Sequence, residues 1–290
     1  MEDRALVLGG GGPVGIAWEL GLAAGLEQGG VRIVQASRII GTSAGSFVGA
    51  ALASGRQAEA LVRAQVAQAE RASAAREHDA KPSRAPDLGP LMRFMARRPA
   101  DREMPAELCA EIGAFALAAK TMSEEAFIAS FGSLTGGGEA WPAGFACTAV
   151  DARDGSFQLW DESSGVELGR AIASSCSVPG IFPPITIGDR RYIDGGMRSA
   201  TNIDLAKGYE RVLVVAVLSN LALDQMRAGI AREIDLLKAG GARVELIVPD
   251  ANCLAAFGNN LMDGSRRGVV ALAGVAQGKV EAKRIAAFWN

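Results

Sequence analysis

Residues 38–47 read Arg38-Ile39-Ile40-Gly41-Thr42-Ser43-Ala44-Gly45-Ser46-Phe47. Branched apolar residues end at a glycine, and a run of small residues follows. This predicts a short buried strand, a sharp turn, and a helix over 44–54 stopped by Gly55. At its centre, Gly41-Thr42-Ser43-Ala44-Gly45 is a G-x-S-x-G pentapeptide. A strand–turn–helix context is what that pentapeptide needs to present a serine on a tight elbow. A side chain at 41 or 45 would collide with the adjoining strand or helix, and glycine removes it. Ser43 would then project at the carboxyl end of a strand, where α/β sheets bind ligands. The helix N-terminus behind it would favour developing negative charge. The plain alternative is a turn of small residues that only packs tightly, and the flanking strand and helix weigh against it.

Working outward, the same grammar repeats. Residues 5–8 are an apolar run stopped by glycines, and 13–28 read as a helix opened by Pro13 and closed by Gly29-Gly30. Further downstream, 145–150 and 156–160 read as strands joined by Asp154-Gly155, a strong hairpin signal. Residues 185–187 and 191–193 flank Gly188-Asp189 as a second hairpin. Helices are expected at 166–174, 223–239 and 265–288, the last interrupted near Gly274 or Gly278, with strands at 212–218 and 244–248. Strands alternating with helices predict a three-layer α/β/α fold with a mainly parallel central sheet. Between 56 and 134 the pattern is helical (56–76, 91–98, 106–120, 123–134), with a charged, proline-containing loop over 77–90. This is read as a helical insert beside the sheet, within a single unit spanning 1–290.

Composition narrows the function classes. The chain has 290 residues, 49% of them hydrophobic, enough to bury one sizeable core. A net charge of −2 is unlike the basic footprint of a nucleic-acid binder. Cys109, Cys147, Cys176 and Cys253 are widely spaced and the chain has one histidine, so no metal or other cofactor is expected. Residues 2–4 are charged and run into a strand, without a signal-peptide pattern or an apolar run of membrane-spanning length. The expectation is a cytoplasmic protein able to touch a membrane surface.

Three segments carry chemistry. The first is the serine elbow. The second is Gly9-Gly10-Gly11-Gly12-Pro13-Val14-Gly15, which contains G-x-G-x-x-G between a strand and a helix. That spacing admits a nucleotide-binding loop. A dinucleotide site, however, wants an acidic residue at the end of the second strand, and that strand ends in the serine elbow. The same glycines can offer bare N–H groups as an oxyanion hole, with Gly10, Gly11 and Gly12 as donors, joined by Ala44. The third is Tyr192-Ile193-Asp194-Gly195-Gly196, an apolar strand delivering an aspartate into a double-glycine turn. The segment 174–184 before it is apolar and proline-fixed, suited to a pocket wall. A Ser-His-Asp triad would need His78, which falls in the charged loop away from any strand end. A carboxylate is the economical base, which pairs Ser43 with Asp194. An aspartate is a weak base unless partial desolvation raises its pKa.

Together, and in this order, the segments 10–15, 41–45 and 194–196 resemble the patatin-like phospholipase family. Val178-Pro179-Gly180-Ile181-Phe182-Pro183-Pro184 and Thr148-Ala149-Val150-Asp151 look like the family's flanking segments. The resemblance covers about residues 5–218. It implies a Ser43–Asp194 dyad, a backbone oxyanion hole in the first loop, support from Gly15, Gly41, Gly45, Gly195 and Gly196, and metal-free hydrolysis of lipid acyl esters. The chain departs from the family at Val14, where a basic residue is common, which makes a neutral ester more plausible. The acyl chain is expected against Leu91, Met92, Phe94, Met95, Phe115, Leu117 and Phe127. Arg93, Arg97, Arg98 and Arg102 are candidates for anionic head groups, with a solvated helix face as the plainer reading. Transfer of the acyl group to an alcohol, and a nucleotide-binding module on 9–15, are the competing functions.

Overall fold

The structure, a computed structural model, describes residues 3–78, 86–99, 103–131, 140–220 and 224–290. Its centre is β1 (Arg4–Leu8), flanked by β2 (Arg38–Gly41) and β7 (Arg211–Val215), both parallel to it. β8 (Arg243–Ile247) extends the β7 side in parallel, and β3 (Phe145–Asp151) the β2 side. Beyond them β4 (Phe157–Trp160), β5 (Ile185–Ile187) and β6 (Arg190–Asp194) form antiparallel pairings at that edge, through the two expected hairpins. The eight-stranded sheet is therefore mixed: parallel through its centre and antiparallel where hairpins replace helical crossovers.

Alternation along β1 divides the core. Leu6 and Leu8 pack on one face, Ala5 and Val7 on the other. The first face carries α1 (Gly12–Gln28), α2 (Ala44–Ala53), α3 (Ala58–His78), α9 (Ala251–Phe257) and α10 (Arg267–Trp289). The second carries α8 (Asp224–Ala239). The insert helices α4 (Gly89–Met95) and α5 (Ala106–Ala118) form their own cluster against Val150 and Ile193. Finally, α6 (Glu124–Ser130) packs beside α7 (Leu168–Ser175).

Three expectations are corrected. His78 is the last residue of α3, not part of the loop; half of that loop, residues 79–85, lies outside the described residues. The helix α9 was not anticipated, being a seven-residue apolar run between two stronger elements. And α10 runs unbroken through Gly274 and Gly278. A Cβ on them would lie 2.6 Å from the Trp18 carbonyl and 2.4 Å from that of Leu22. These glycines let α10 approach α1, so they mark packing rather than an interruption.

One detail of register positions everything that follows. Cys147 pairs with Gly41 of β2 and with Trp160 of β4, so those strands lie on opposite edges of β3. Ala149 pairs with Asp194 of β6 and with Gln158 of the same β4. β2 and β6 therefore share one edge of β3. β2 runs parallel to β3 and β6 antiparallel, so they run toward each other and end on either side of Thr148.

Candidate active site

The elbow is held from several sides. Thr42 leaves β2 with its N–H on the Leu8 carbonyl at 3.0 Å. Ser43 follows with φ 53° and ψ −116°. Such a backbone costs a non-glycine residue about 1–3 kcal/mol and persists only where its surroundings over-determine it. Here the Ser43 N–H donates to Ser175 Oγ at 3.1 Å, and that hydroxyl shares a 2.6 Å hydrogen bond with Ser46 Oγ. The Cys176 thiol donates to the Ser43 carbonyl at 3.1 Å. A Cβ on Gly45 would lie 2.2 Å from the Leu8 carbonyl oxygen, so the turn closes only with glycine there.

β6 brings Asp194 to the same point. Asp194 is 3% exposed, its carboxyl accepts the Gly196 N–H at 2.7 Å, and it faces the Ser43 hydroxyl, whose attraction favours the charged form. Burial pushes the pKa of Asp194 up to about 7, against the smaller opposing effects of those two donors. The Asp194 N–H is fixed on the Ser177 carbonyl at 3.1 Å.

Beneath the pair lies a buried polar cluster that sequence reasoning missed. Thr148 Oγ1 donates to Thr42 Oγ1 at 3.0 Å, and Asn202 Nδ2 donates to Thr42 Oγ1 at 2.9 Å. Asn202 itself adopts a left-handed backbone, φ 53°. From α8, Glu233 accepts Ser199 Oγ at 2.7 Å and the Ile203 N–H at 2.9 Å, pinning the segment after Asp194. Nothing in the spacing of Asn202 or Glu233 marks them. Only the register of the sheet brings them under the elbow.

The glycine loop stands next to the serine. A Cβ on Gly10 would touch Ser43 Cβ at 3.3 Å. Its donors differ from expectation in one respect: the Gly10 N–H is bonded to the Ala200 carbonyl at 2.9 Å, so Gly10 drops out as an oxyanion donor. The N–H groups of Gly11, Gly12 and Ala44 have no acceptor among the described residues, and Gly12 and Ala44 line one cavity with Ser43. Both sit at helix N-termini, where orphan N–H groups and the helix dipole favour an anion. Val14 is fully buried, with its N–H on the Leu261 carbonyl at 3.1 Å. With the N–H groups of Gly9, Gly10, Val14 and Gly15 engaged, the loop is poorly furnished to cradle a pyrophosphate.

The cavity over Ser43 has a volume of about 570 Å³. Its apolar wall comes from Phe47 and Leu61, from Phe127 and Phe131, and from Phe182. Phe127 stacks on Phe182 with ring centroids 4.3 Å apart. The expected acyl-chain wall is corrected accordingly, since only Phe127 of that set lines the cavity. Leu91 and Met95 are buried in the insert's own cluster, Phe94 packs on Phe115, and Leu117 is exposed. The arginines are corrected too. Arg97 pairs with Glu111 at 2.5 Å, and Arg98 is buried with its guanidinium on the Arg198 carbonyl at 2.8 Å. Arg102 lies outside the described residues.

Among the described residues no helix is long and apolar enough to cross a membrane, and no three His, Cys, Asp or Glu side chains gather as a metal site. The four cysteines are free and buried.

No curated protein sequence matches the chain. Among solved structures, VipD from Legionella pneumophila superposes with a TM-score of 0.47 at 13% identity, over 98% of this chain and 67% of that one. The type III effector ExoU gives 0.39 at 18% identity, covering 97% of this chain and 54% of that one. ExoU in its complex with SpcU from Pseudomonas aeruginosa gives 0.41 at 17% identity, over 97% and 51%. The chain thus spans about half the length of the ExoU chains. Residues 6–207 match the family profile described as patatin-like phospholipase, which takes in the glycine loop, the serine elbow and the Asp194 turn. The chain belongs to the patatin-like phospholipase family.

Proposed function

We propose that the chain cleaves lipid acyl esters through an acyl-enzyme on Ser43, with Asp194 as the general base. Ser43 Oγ attacks the ester carbonyl while its proton passes to Asp194. The carbonyl oxygen becomes an oxyanion held by the N–H groups of Gly12 and Ala44, with Gly11 beside them. Collapse of the tetrahedral intermediate breaks the ester bond, and the proton on Asp194 goes to the departing alcohol. Water then attacks the acyl-enzyme and gives a proton to Asp194; as the acyl–Oγ bond breaks, that proton returns to Ser43 Oγ, which frees the fatty acid and restores the serine and the carboxylate. The acyl chain occupies the aromatic wall around Phe127, Phe131 and Phe182.

The observation that carries this reading is the buried, desolvated Asp194 carboxyl facing the Ser43 hydroxyl. Its pKa near 7 suits proton transfer at neutral pH. The test is release of fatty acid from a hexanoyl ester by the wild type, Ser43→Ala and Asp194→Asn. Activity should fall by about 10³-fold or more in Ser43→Ala. Equal activity in Ser43→Ala and wild type would refute it. Methanol added to the same assay separates hydrolysis from acyl transfer: water as acceptor leaves hexanoate as the main product, and transfer yields the methyl ester.

A further inference from the structure

The oxyanion donors sit on the least constrained backbone of the chain. Residues 9–12 are four consecutive glycines, and glycine backbone rotates more freely than any other. An oxyanion hole works only when its N–H groups already point to where the charge develops. The aim of these donors must therefore come from contacts outside the loop. At its entry the loop is held by the sheet side: the Gly9 N–H donates to the Val215 carbonyl at 3.0 Å and the Gly10 N–H to the Ala200 carbonyl at 2.9 Å.

At its exit, where α1 begins, the loop is held by the turn between α9 and α10. The Leu261 carbonyl accepts the Val14 N–H at 3.1 Å. Pro13 has no N–H, and Gly15 donates to the Gly11 carbonyl at 2.7 Å, so the donors left over are Gly11 and Gly12. The same turn packs on Gly12, whose φ is 57°. A Cβ there would lie 2.8 Å from Met262 Sδ and 2.9 Å from the Leu261 carbonyl oxygen. Met262 also lines the cavity, beside Gly12 and Ser43. The turn has its own brace. Asn260 Oδ1 accepts the Met262 N–H at 2.8 Å, and the Asn260 carbonyl accepts the Asp263 N–H at 3.0 Å. An Asx turn of this kind fixes the peptides on either side of Leu261, and with them the direction of the Leu261 carbonyl. The other end of the amide, Nδ2, makes only a long contact of 3.4 Å to the Pro86 carbonyl. Residues 260–263 lie beyond the stretch, 6–207, that matches the family profile.

We propose that Asn260 is a positioning residue for the oxyanion hole: by bracing the turn that carries Leu261 and Met262, it sets the direction of the Gly12 N–H. This rests on the reading of Ser43 as nucleophile and Gly12 as an oxyanion donor. It deepens that reading by adding the part of the chain that preorganises the donor.

The test uses two ligands with the same octyl chain, a trifluoromethyl ketone and a methyl ketone, titrated by calorimetry. Ser43 Oγ adds to the carbonyl carbon of the first, its proton passes to Asp194, and the carbonyl oxygen becomes an anion in the hole. The second stays an unreacted occupant of the cavity. The preference for the trifluoromethyl ketone, the ratio of the two dissociation constants, therefore reads the oxyanion hole apart from the cavity. It should fall by about tenfold in Asn260→Ala, with kcat for a hexanoyl ester lowered by a similar factor and KM within about twofold. Asn260→Asp keeps an acceptor for the Met262 N–H and should stay within about threefold of the wild type.

Met262→Ala is a second variant that leaves the Asx turn in place. It removes the packing on Gly12 and should lower the preference by about threefold. A preference unchanged in both Asn260→Ala and Met262→Ala, with melting temperatures like the wild type's, overturns the proposal. So does an equal loss of affinity for both ketones, which marks a deformed cavity rather than a misdirected donor. Ser43→Ala separates the two readings. If it loses the preference while the Asn260 and Met262 variants keep it, the nucleophile stands and the positioning role falls. If it holds the trifluoromethyl ketone as tightly as the wild type does, Ser43 is not the nucleophile, and the positioning role falls with that reading.

Discussion

The Asp194 carboxyl meets the Ser43 hydroxyl where β2 and β6 run toward one another along a single edge of β3. Two strands that converge head to head present their terminal residues at one point, so the carboxyl reaches the serine without an intervening histidine. The carboxyl is buried there, and its pKa stands near 7. A general base works only when ionised. We therefore expect kcat/KM for ester hydrolysis to rise about tenfold per pH unit below pH 7 and to level off above it. A profile flat from pH 5 to pH 9 would show that Asp194 is not the titrating base.

Stability should carry the opposite imprint. The folded-state pKa of Asp194 is raised from an ordinary 3.8 to about 7, so the native protein holds this proton more tightly than the unfolded chain. Its contribution is fully present below about pH 4 and is lost as the pH rises through 7. Asp194→Asn removes the titration. Relative to that variant, the wild type should lose on the order of 4 kcal/mol between about pH 4 and about pH 8. Denaturant unfolding of both proteins at the two pH values measures this. Parallel stability curves would contradict the desolvated carboxylate.

The elbow makes a steric prediction. A methyl group on Gly45 would sit 2.2 Å from the Leu8 carbonyl, which belongs to the central strand and cannot retreat. Gly45→Ala should destabilise the fold by about 3 kcal/mol or more, well beyond an ordinary surface substitution. Urea unfolding midpoints report the difference, and a variant within 1 kcal/mol of wild type would mean that the elbow relaxes freely.

The cavity wall makes a substrate prediction. Ala64 is an exposed residue of α3 that lines the cavity, so a larger side chain there projects into the site without disturbing the core. Ala64→Trp should cut kcat/KM for a palmitoyl ester by about tenfold or more while changing that for an acetyl ester by less than about threefold. Equal losses on both esters would place the acyl chain elsewhere.

Much of this was legible before the structure. Ser43 and Asp194 each end an apolar strand and enter a glycine turn, and such local grammar survives folding because the turns permit little else. The two hairpins were legible for the same reason, since Asp154-Gly155 and Gly188-Asp189 act over short range. What the sequence hid depends on distant register. Gly10 loses its role as a donor because Ala200, brought alongside by the chain after β6, takes its N–H. Of the residues expected around the acyl chain only Phe127 of α6 lines the cavity, because α4 and α5 bury their apolar faces on β3 and β6. Periodicity shows that a helix has an apolar face, but not what that face covers. Gly274 and Gly278 looked like helix breakers and proved to be the contact points of α10 on α1. Glu233 and Asn202 carry no local signal at all.

The most direct test of the Ser43–Asp194 pair is intact-mass labelling with a fluorophosphonate, run in parallel on the wild type, Ser43→Ala, Asp194→Asn and His78→Ala. The account predicts a single adduct on the wild type and on His78→Ala, none on Ser43→Ala, and labelling slowed by about 10²-fold or more in Asp194→Asn. A wild type that stays unlabelled, or a Ser43→Ala protein that labels as fast as the wild type, would contradict it.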